Sequence, residues 1–252
     1  MLSKSKIKLI NSLNRKKDRD ESGFFLVEGI KMVEEALGSN FNIELLVCST
    51  KFADQHPEIQ YRAKEIIESD SESIKKASLL QNPQDVLAVV SQNMNIEPEL
   101  NLTTELVLAL DFIQDPGNLG TILRVADWFG IQTVICSENT VDAYNPKVVQ
   151  ASMGAIFRVK TWYTGLESLI GQAAKDQIPV YGTFMEGQNI YNEILAGNGI
   201  IVLGNEGNGI SQEVAKLVSH KVCIPSFSSG QGSESLNVAI AAAICCSEFR
   251  RR

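Results

Sequence analysis

The stretch IIVLGNEGNGIS, residues 200–211, constrains the fold of this chain more than any other. Its first four residues form a short apolar run, typical of a strand buried on both faces of a parallel sheet. Three glycines follow within six residues, and glycines at a strand end let a ligand approach the bare backbone. The stretch predicts a parallel α/β sheet with a small-molecule pocket at this strand end. An ordinary strand-to-helix turn with a solvated Glu206 would show the same pattern.

The second part of the chain repeats this arrangement. From Glu105 onward strand-like and helix-like patterns alternate, which predicts a mostly parallel sheet with helices on both faces. The predicted strands are residues 106–110, 133–136, 156–162, 180–184, 200–203 and 222–224. Asn118 is placed to cap the helix after the first strand, and Ser235 to cap an Ala-rich terminal helix. That terminal helix is apolar enough to be a core helix or a subunit interface.

The first part of the chain has the pattern of a separate, smaller α/β unit. Strands are predicted at residues 24–29, 43–48 and 86–90, and helices at 30–37, 57–67 and 74–80. A polar stretch with Pro98 and little apolar periodicity follows, which is typical of a linker. We therefore predict two domains, residues 1–95 and 105–252, joined by a linker at 96–104.

Charge is unevenly distributed along the sequence. The whole chain has a net charge of −7 and a pI of about 5.0, which argues against a nucleic-acid binder that is basic over its whole surface. Residues 1–20 are nevertheless rich in Lys and Arg, with Ile7, Ile10 and Leu13 at helical spacing. This segment is either a solvated amphipathic helix or an arm that contacts phosphate.

Several classes of protein lose support from what the sequence lacks. The five cysteines show no C-x-x-C spacing and the chain has two histidines, so we expect reduced, buried thiols and no metal site. The polar, basic start of the chain does not resemble a signal peptide, and no apolar run nears the roughly 20 residues of a membrane span. We expect a cytoplasmic protein with no membrane partner.

Chemistry is expected where three loops follow predicted strands, at residues 111–118, 204–210 and 225–235. The carboxyl ends of parallel strands lie at one edge of a sheet, so these loops should converge. They and the helices they lead into supply a polar group of side chains with one cation: Asn118, Arg124, Glu206, Ser235 and Asn237.

Other common site chemistries fit these loops poorly. The last glycine of G-x-G-x-x-G is missing after Gly207 and Gly209, which weighs against a nicotinamide oxidoreductase, and no G-x-x-x-x-G-K-[ST] occurs. Neither histidine lies in the three loops, so nucleophilic hydrolysis is also poorly supported.

Three segments carry a family resemblance. DPGNLGTILRVADWFG (115–130), LGNEGNGIS (203–211) and IPSFSSGQGSESLNVAIAAAI (224–244) closely resemble the signature motifs of the SpoU, or TrmH-type, RNA 2′-O-ribose methyltransferases of the SPOUT superfamily. ASMGAIFRV (151–159) is also similar to a family segment. A weaker likeness links RKKDRDESGFFLVEG (15–29) to the amino-terminal substrate-binding domain of the ribosomal-RNA branch, whose fold is similar to ribosomal protein L30e.

The resemblance implies a fold and a cofactor. It implies a deep trefoil knot, formed by the last strands and the terminal helix, that holds S-adenosylmethionine (SAM) in a bent conformation. By match to the motifs, the cofactor pocket would use backbone around Gly204, Ile224 and Leu236.

The resemblance also implies a reaction, in which a ribose 2′-oxygen attacks the sulfonium methyl group. In the family the arginine that matches Arg124 is the central catalytic residue and is sometimes assigned as the base. Because arginine is effectively always protonated, we expect Arg124 to bind phosphate and to stabilise the developing 2′-oxyanion. The matches to Asn118, Glu206, Ser235 and Asn237 position the arginine and the RNA.

The expected partners are RNA and a second copy of the chain. The extra amino-terminal domain favours ribosomal over transfer RNA, and the family generally pairs through its knot region as a homodimer. Residues 1–95 are expected to capture RNA, with Arg15, Lys16, Lys17 and Arg19 as candidate phosphate contacts. The alternatives are a transfer-RNA 2′-O-methyltransferase and a non-catalytic RNA-binding protein of the same fold.

Overall fold

The structure is a computed structural model that describes residues 2–93, 95–228 and 235–251. The chain forms two compact units. Unit 1 consists of Met1–Met94 and Asp142–Arg158, and unit 2 consists of Asn95–Val141 and Val159–Arg252. The chain therefore passes from one unit to the other three times. The segment 142–158 lies in unit 1, although the sequence suggested a place in the second domain, and the domain limits given above stay a prediction.

Helices and strands alternate along the described chain. The strands are β1 (Phe24–Glu28), β2 (Ile43–Cys48), β3 (Ile66–Glu68), β4 (Val86–Ser91), β5 (Leu106–Asp111), β6 (Thr133–Cys136), β7 (Lys160–Tyr163), β8 (Val180–Asn189), β9 (Gly199–Gly204) and β10 (His220–Cys223). The helices are α1 (Lys4–Ser12), α2 (Lys16–Ser22), α3 (Ile30–Leu37), α4 (Thr50–Gln55), α5 (Ile59–Arg62), α6 (Ser71–Ala77), α7 (Pro116–Trp128), α8 (Pro146–Ser152), α9 (Leu166–Lys175), α10 (Gln212–Ala215) and α11 (Val238–Arg251).

Unit 1 is a four-stranded mixed sheet with helices on both faces. The strand order is β1-β4-β2-β3, in which β4 runs antiparallel to β1 and β2, and β3 runs parallel to β2. Apolar side chains of α1 and α6 pack on one face of the sheet. Those of α3, α4, α5 and α8 pack on the other face. Five of the six residues of β2 and five of the six of β4, the two central strands, are therefore buried.

Unit 2 is a six-stranded parallel sheet in the order β10-β8-β9-β5-β6-β7. All six residues of β5 and of β9 are buried, as expected for central strands covered on both faces. Helices α9 and α10 pack against one face, and α11 packs against β9 and α7. The prediction of an α/β fold with a mostly parallel sheet is confirmed; the trefoil knot stays a prediction.

Three predicted elements differ from the structure. The expected helix 57–67 is the short α5 followed by β3, because Ile66 pairs with Leu46 of the neighbouring strand β2. The expected strand 156–162 is a 3₁₀ turn at Ala155–Phe157 followed by β7. The basic segment 1–20 forms two helices, α1 and α2, instead of one. In the first case pairing with a strand distant in sequence overrides the local pattern, whereas the break between α1 and α2 coincides with carbonyls of Leu13 and Asn14 that accept from the nearby Arg19.

Among the described residues, none of the helices is both long and apolar enough to span a membrane.

Candidate active site

The candidate site lies at the carboxyl ends of β5 and β9, which are neighbours in the sheet of unit 2. Asp111 at the end of β5 is paired in register with Gly204 at the end of β9. The loop after β5 leads into α7, and α11 packs against α7. Elements from three distant parts of the sequence therefore present their ends at one edge of the sheet.

Asp115 begins α7. Its carboxylate accepts a hydrogen bond from the backbone N–H of Asn118 at 2.8 Å, and Pro116 occupies the first turn, where its missing N–H costs nothing. The prediction that Asn118 caps this helix is wrong by one turn. Because Asp115 caps the helix, the Asn118 side chain is available for other contacts.

Asn237 has the matching role at α11. Its Oδ1 accepts hydrogen bonds from the backbone N–H groups of Ala239 at 2.9 Å and Ile240 at 3.3 Å. Ser235, the predicted cap, is exposed two residues earlier and does not occupy this position. Asn237 Oδ1 is thus engaged by the helix, which leaves Nδ2 to donate elsewhere.

A chain of side-chain hydrogen bonds connects the three segments. Asn237 Nδ2 donates to Asn118 Oδ1 at 2.8 Å, and Asn118 Nδ2 donates to Glu206 Oε1 at 2.8 Å. Each amide uses its oxygen to accept and its nitrogen to donate, so the helix end at Asn237 determines the direction of the whole chain. The structure therefore brings together Asn118, Glu206 and Asn237, with the exposed carboxylate at one end.

Asn205 organises the loop that presents Glu206, and the sequence analysis missed it. Its Nδ2 donates to the carbonyl of Phe112 at 2.8 Å, while its Oδ1 accepts from the N–H groups of Gly207 and Asn208 at 2.9 and 3.0 Å. Its backbone also exchanges two hydrogen bonds of 2.9 Å with Gly209. One buried side chain thus folds the loop and ties it to the loop after β5. An Asn directly after an apolar strand and before two glycines is the signal that could have indicated this role.

The end of β5 contributes a second anchor that the sequence analysis missed. The buried Asp111 carboxylate accepts a hydrogen bond from the N–H of Ser211 at 2.7 Å. The next residue, Phe112, has φ of +62°, a left-handed conformation that is uncommon for a bulky side chain. Its N–H donates to Ser137 Oγ at 2.8 Å. Strained backbone of this kind often lies at functional sites, where surrounding contacts hold it in place.

Two glycines, Gly204 at the end of β9 and Gly209 after it, are needed by the loop itself. A Cβ atom at Gly204 would lie 2.2 Å from backbone atoms of both Gly209 and Ile210. Gly209 has φ of +69°, which favours glycine, and a Cβ atom there would meet nothing within 4 Å. The sequence analysis attributed Gly204 to the approach of a ligand; in the structure the space beside it is filled by the returning loop.

Arg124 lies on α7, outside the hydrogen-bonded chain. It is exposed on the same face as Thr121 and Trp128, and Trp128 is 85% exposed. Within residues 2–93, 95–228 and 235–251, no hydrogen bond or ion pair engages its guanidinium group. The positive charge is therefore available to a bound anion.

The other predicted site residues of unit 2 lie in or beside the loop after β10. Ile224 is half-buried, Ser235 is exposed, and Leu236 is 51% exposed. Residues 229–234, the middle of the predicted loop 225–235, lie outside the described residues. The structure thus shows apolar surface on both flanks of this loop.

The candidate RNA contacts of α2 differ among themselves. Arg15, which directly precedes α2, and Lys16 and Lys17 within it are exposed, and each forms an ion pair with an acidic residue of α2 three or four positions later. Arg19 is only 1% exposed. The prediction that it contacts RNA is therefore corrected.

The Arg19 guanidinium is fully engaged inside unit 1. It binds the carboxylate of Asp142 at 2.6 and 2.9 Å and the carbonyls of Leu13 and Asn14 at 2.9 and 3.0 Å. Arginine has a planar set of donors that suits such multiple contacts. Its role is structural.

The cysteines are free thiols. Four are buried and Cys223 is half-buried. Burial raises the pKa of Cys136, Cys245 and Cys246 to about 12, and that of Cys48 to about 11. A thiol with so high a pKa is a poor nucleophile at neutral pH. Over the described ranges, no group of three His, Cys, Asp or Glu side chains is arranged to hold a metal ion.

The arrangement suits the positioning of a polar substrate. Asn118, itself held by Asn237, binds the carboxylate of Glu206, and the exposed guanidinium of Arg124 lies on the same helix as Asn118. Such groups can orient a hydroxyl, accept its hydrogen bond and stabilise a developing negative charge.

Comparison with known protein families assigns both parts of the chain. Residues 105–247 match the SpoU rRNA Methylase family. Residues 4–88 match the MRM3-like substrate binding domain. The chain is 32% identical over 248 residues to the Bacillus subtilis 23S rRNA (guanosine(2553)-2′-O)-methyltransferase RlmP, an alignment that covers 97% of this chain and 96% of that protein.

Two solved structures are similar over the whole chain. A TrmH-family protein from Porphyromonas gingivalis is 40% identical with a TM-score of 0.88, and the match covers 100% of this chain and 99% of that one. An AdoMet-bound rRNA methyltransferase from Sinorhizobium meliloti is 29% identical with a TM-score of 0.87, and the match covers 100% and 97%.

Proposed function

The chain belongs to the SpoU rRNA methylase family and is a SAM-dependent RNA methyltransferase that acts on a ribose 2′-hydroxyl, and we propose that its substrate is ribosomal RNA. The observation that carries the assignment of roles is the hydrogen-bonded chain of Asn237, Asn118 and Glu206, together with the exposed Arg124 on the same helix as Asn118. The relative aligned over 97% of the chain acts, by its name, on 23S rRNA. This supports ribosomal over transfer RNA.

The cofactor site is proposed at the carboxyl ends of β9 and β10. SAM supplies an electrophilic methyl group when bound. Its adenosine and methionine parts need both apolar surface and backbone hydrogen-bonding groups. Leu236 is 51% exposed and Ile224 is half-buried, while the loop from Gly204 to Gly209 offers backbone at the same edge of the sheet. These residues fit the group and would hold it.

The polar residues have distinct proposed roles. Arg124 binds RNA phosphate and stabilises negative charge on the 2′-oxygen, since a guanidinium does not deprotonate in proteins. Glu206, held by Asn118, accepts the hydrogen bond of the 2′-hydroxyl and orients it. Asn237 holds Asn118, and Ser235 lies at the start of the same segment as a contact to RNA. Asn205 is a positioning residue, since it folds the loop that carries Glu206.

The test of this function is transfer of a labelled methyl group from SAM to RNA. Unmodified 23S rRNA and transfer RNA, both made by transcription, are the two substrates, and nucleoside analysis identifies the product. We expect a 2′-O-methylated nucleoside in 23S rRNA. Methylation of a base, or of transfer RNA alone, would overturn the proposal. Binding without transfer would favour a non-catalytic RNA-binding protein.

We also propose a homodimer that pairs through the knot region and resides in the cytoplasm, where ribosomal RNA is processed. Leu236 and Ile240 are each 51% exposed at the start of the terminal helix, and exposed apolar side chains of this kind are typical of a subunit interface. Light scattering should give about twice the chain mass of 27.6 kDa. A monomer at micromolar concentration would contradict this.

The final part of the proposal is a division of labour in which unit 1 captures RNA and unit 2 performs the chemistry. About two thirds of the 23 Lys and Arg residues lie in unit 1, but only half of the 30 Asp and Glu residues do. Unit 2 therefore carries essentially all of the net charge of −7. Deleting residues 1–100 is a poor test, because segment 142–158 would lose the partners with which it packs in unit 1.

A further inference from the structure

Helix α1 has an unusual charge pattern for a surface helix of an acidic protein. Its sequence KSKIKLINS contains three lysines and no acidic residue. Lys4 and Lys8 are exposed and lie four residues apart, on one side of the helix. Two like charges at this spacing destabilise a helix by a few tenths of a kcal/mol. Helix stability therefore does not account for the pattern.

Helix α6 adds a further lysine to the same side of unit 1. Ile10 and Leu13 from the α1 segment share an apolar cluster with Ile74 and Ala77 of α6, on one face of the sheet. Asn11 Nδ2 donates to the carbonyl of Lys76 at 3.2 Å, which ties the end of α1 to the end of α6. Side chains that point away from the sheet on these two helices therefore share one surface.

Three lysines on this surface keep their charge uncompensated. Lys6 is paired with Glu65, and Lys76 with Glu72 at 2.8 Å. For Lys4, Lys8 and Lys75, the described part of the chain provides no ion-pair partner. We call these three residues the lysine surface.

The lysine surface contrasts with α2, the helix that sequence analysis favoured for binding RNA. There each exposed cation is paired with an acidic residue on the same helix. A phosphate group would have to compete with those carboxylates. On α1 it would instead relieve the repulsion between Lys4 and Lys8.

We propose that the lysine surface contacts the phosphate backbone of the RNA substrate. The inference rests on the proposed function, and it names the part of unit 1 that captures RNA. Both helices lie within residues 4–88, which match a substrate-binding domain. Lysine is a compact point charge on a flexible stem, so it suits contact with phosphates without regard to base sequence.

The test compares triple charge reversals that change the net charge equally. Lys4→Glu/Lys8→Glu/Lys75→Glu removes the lysine surface. Lys31→Glu/Lys51→Glu/Lys147→Glu is the matched control, since these lysines are also exposed and lie on α3, α4 and α8, which cover the other face of the sheet. The probe is a fluorescent transcript of unmodified 23S rRNA, titrated by anisotropy at several salt concentrations. Circular dichroism checks that each variant is folded, and Gln replaces Glu if one is not.

We expect the first variant to bind at least 10-fold more weakly near 0.1 M salt, and the control to stay within about threefold. Three phosphate contacts should also lower the slope of log affinity against log salt by about 2 to 3, at roughly 0.7 to 0.9 per contact. Equal losses in both variants would overturn the proposal, because they would indicate general attraction only. A larger loss in Arg15→Glu/Lys16→Glu/Lys17→Glu would overturn it in favour of α2.

A separate measurement distinguishes failure of the surface from failure of the function. If the parent protein binds the transcript through the lysine surface but transfers no methyl group from SAM, the proposed function fails and the surface stands. If the parent transfers methyl groups and the first triple variant has the parental KM for RNA, the surface fails and the function stands.

Discussion

Two helices of this protein each carry an arginine that the sequence suggested as a contact to RNA, and the structure treats the two in opposite ways. In α2 of unit 1, Arg19 is buried and bound by one carboxylate and two carbonyls. In α7 of unit 2, Arg124 is exposed and its guanidinium has no partner within the described ranges. The first arginine holds protein together, whereas the second is free for a ligand.

The difference shows what must be known before a cation is assigned to a function. Arg19 lies in a polar helix and Arg124 in an amphipathic one, so the local sequence would favour Arg19 as the exposed cation. What separates the two arginines is Asp142, which binds Arg19 although it lies 123 positions away in the chain. The decisive property is whether the folded protein already satisfies the donors of the guanidinium group.

The largest expected effect is a loss of stability when the buried arginine, Arg19, is replaced. Replacing Arg19 with Met leaves the Asp142 carboxylate and two carbonyls without their donor, and losing one partner of a buried ion pair costs about 3–5 kcal/mol. Urea denaturation should show this loss in the free energy of unfolding. The exposed Lys17→Met is the control and should stay within about 0.5 kcal/mol. A similar small effect at Arg19 would mean that its contacts are not structural.

The next effect tests the free arginine. Arg124→Ala should lower the rate of methyl transfer by about 10²-fold or more, a typical result of removing one oxyanion contact. Its unfolding free energy and its affinity for SAM, measured by calorimetry, should stay near parental values. Lys175→Ala, another exposed cation of unit 2, should leave all three unchanged. Near-parental turnover by Arg124→Ala would remove this residue from the mechanism.

A smaller effect concerns the hydrogen bond from Asn118 to Glu206. Asn118→Ala removes the donor to Glu206, and a hydrogen bond to a charged group contributes about 1.5–3 kcal/mol, or roughly 10- to 100-fold in rate. Asn118→Asp should be at least as slow at pH 7.5, because two carboxylates then face each other.

Lowering the pH should separate these two variants. Mutual repulsion raises the pKa of the pair formed by the introduced carboxyl group and Glu206, and once protonated the introduced group can donate to Glu206. Relative to the parent, Asn118→Asp should therefore recover part of its activity between pH 7.5 and 5.5, whereas Asn118→Ala should not. Identical pH profiles for the two variants would argue against the Asn118 to Glu206 bond.

The smallest expected effect is on stability and concerns the backbone of the loop that carries Glu206. Gly209→Ala places a side chain at φ of +69° and should cost about 1 kcal/mol of stability. Gly207→Ala is the matched control, because a Cβ atom there would be 3.5 Å from Asn205 Oδ1, an ordinary contact. Thermal unfolding of the two variants gives the difference. Equal melting temperatures would contradict the left-handed conformation of Gly209.

The sequence predicted most of the sheet of unit 2 because its strands are short apolar runs between helices. The strand 133–136 agrees with β6, and 200–203 lies within β9. Errors arose where long-range pairing decides the outcome. Residues 66–68 have helical spacing with Ile59 and Ala63, yet form β3 because β2 offers a partner.

The sequence predicted where the site lies in the sheet, but not how its side chains are hydrogen-bonded. The rule that ligands bind at strand carboxyl ends located Asn118, Glu206 and Asn237 at one edge of a parallel sheet. The direction of their hydrogen bonds depends on which residue caps each helix, and Asp115 and Asn237 take those places instead of Asn118 and Ser235. Capping depends on backbone geometry at the helix start, and the sequence pattern placed the two starts three residues and two residues away from where they lie.

Unit 1 is assembled from two separate stretches of the chain, and this has a consequence for its synthesis on the ribosome. Its core includes Val149, and Arg19 needs Asp142, but both residues are translated after the sheet of unit 1 is complete at Ser91. At roughly 5 to 20 residues per second, residues 92–158 take about 3 to 13 s to appear. During that interval the nascent amino-terminal sheet lacks the apolar side chains that α8 contributes to its cover. Arg19, which is buried in the finished protein, is still without its counterion Asp142. Unit 1 therefore emerges first but cannot finish folding until segment 142–158 has been translated, so its sheet waits, incompletely covered, for a part of the chain that lies beyond the first strand of unit 2.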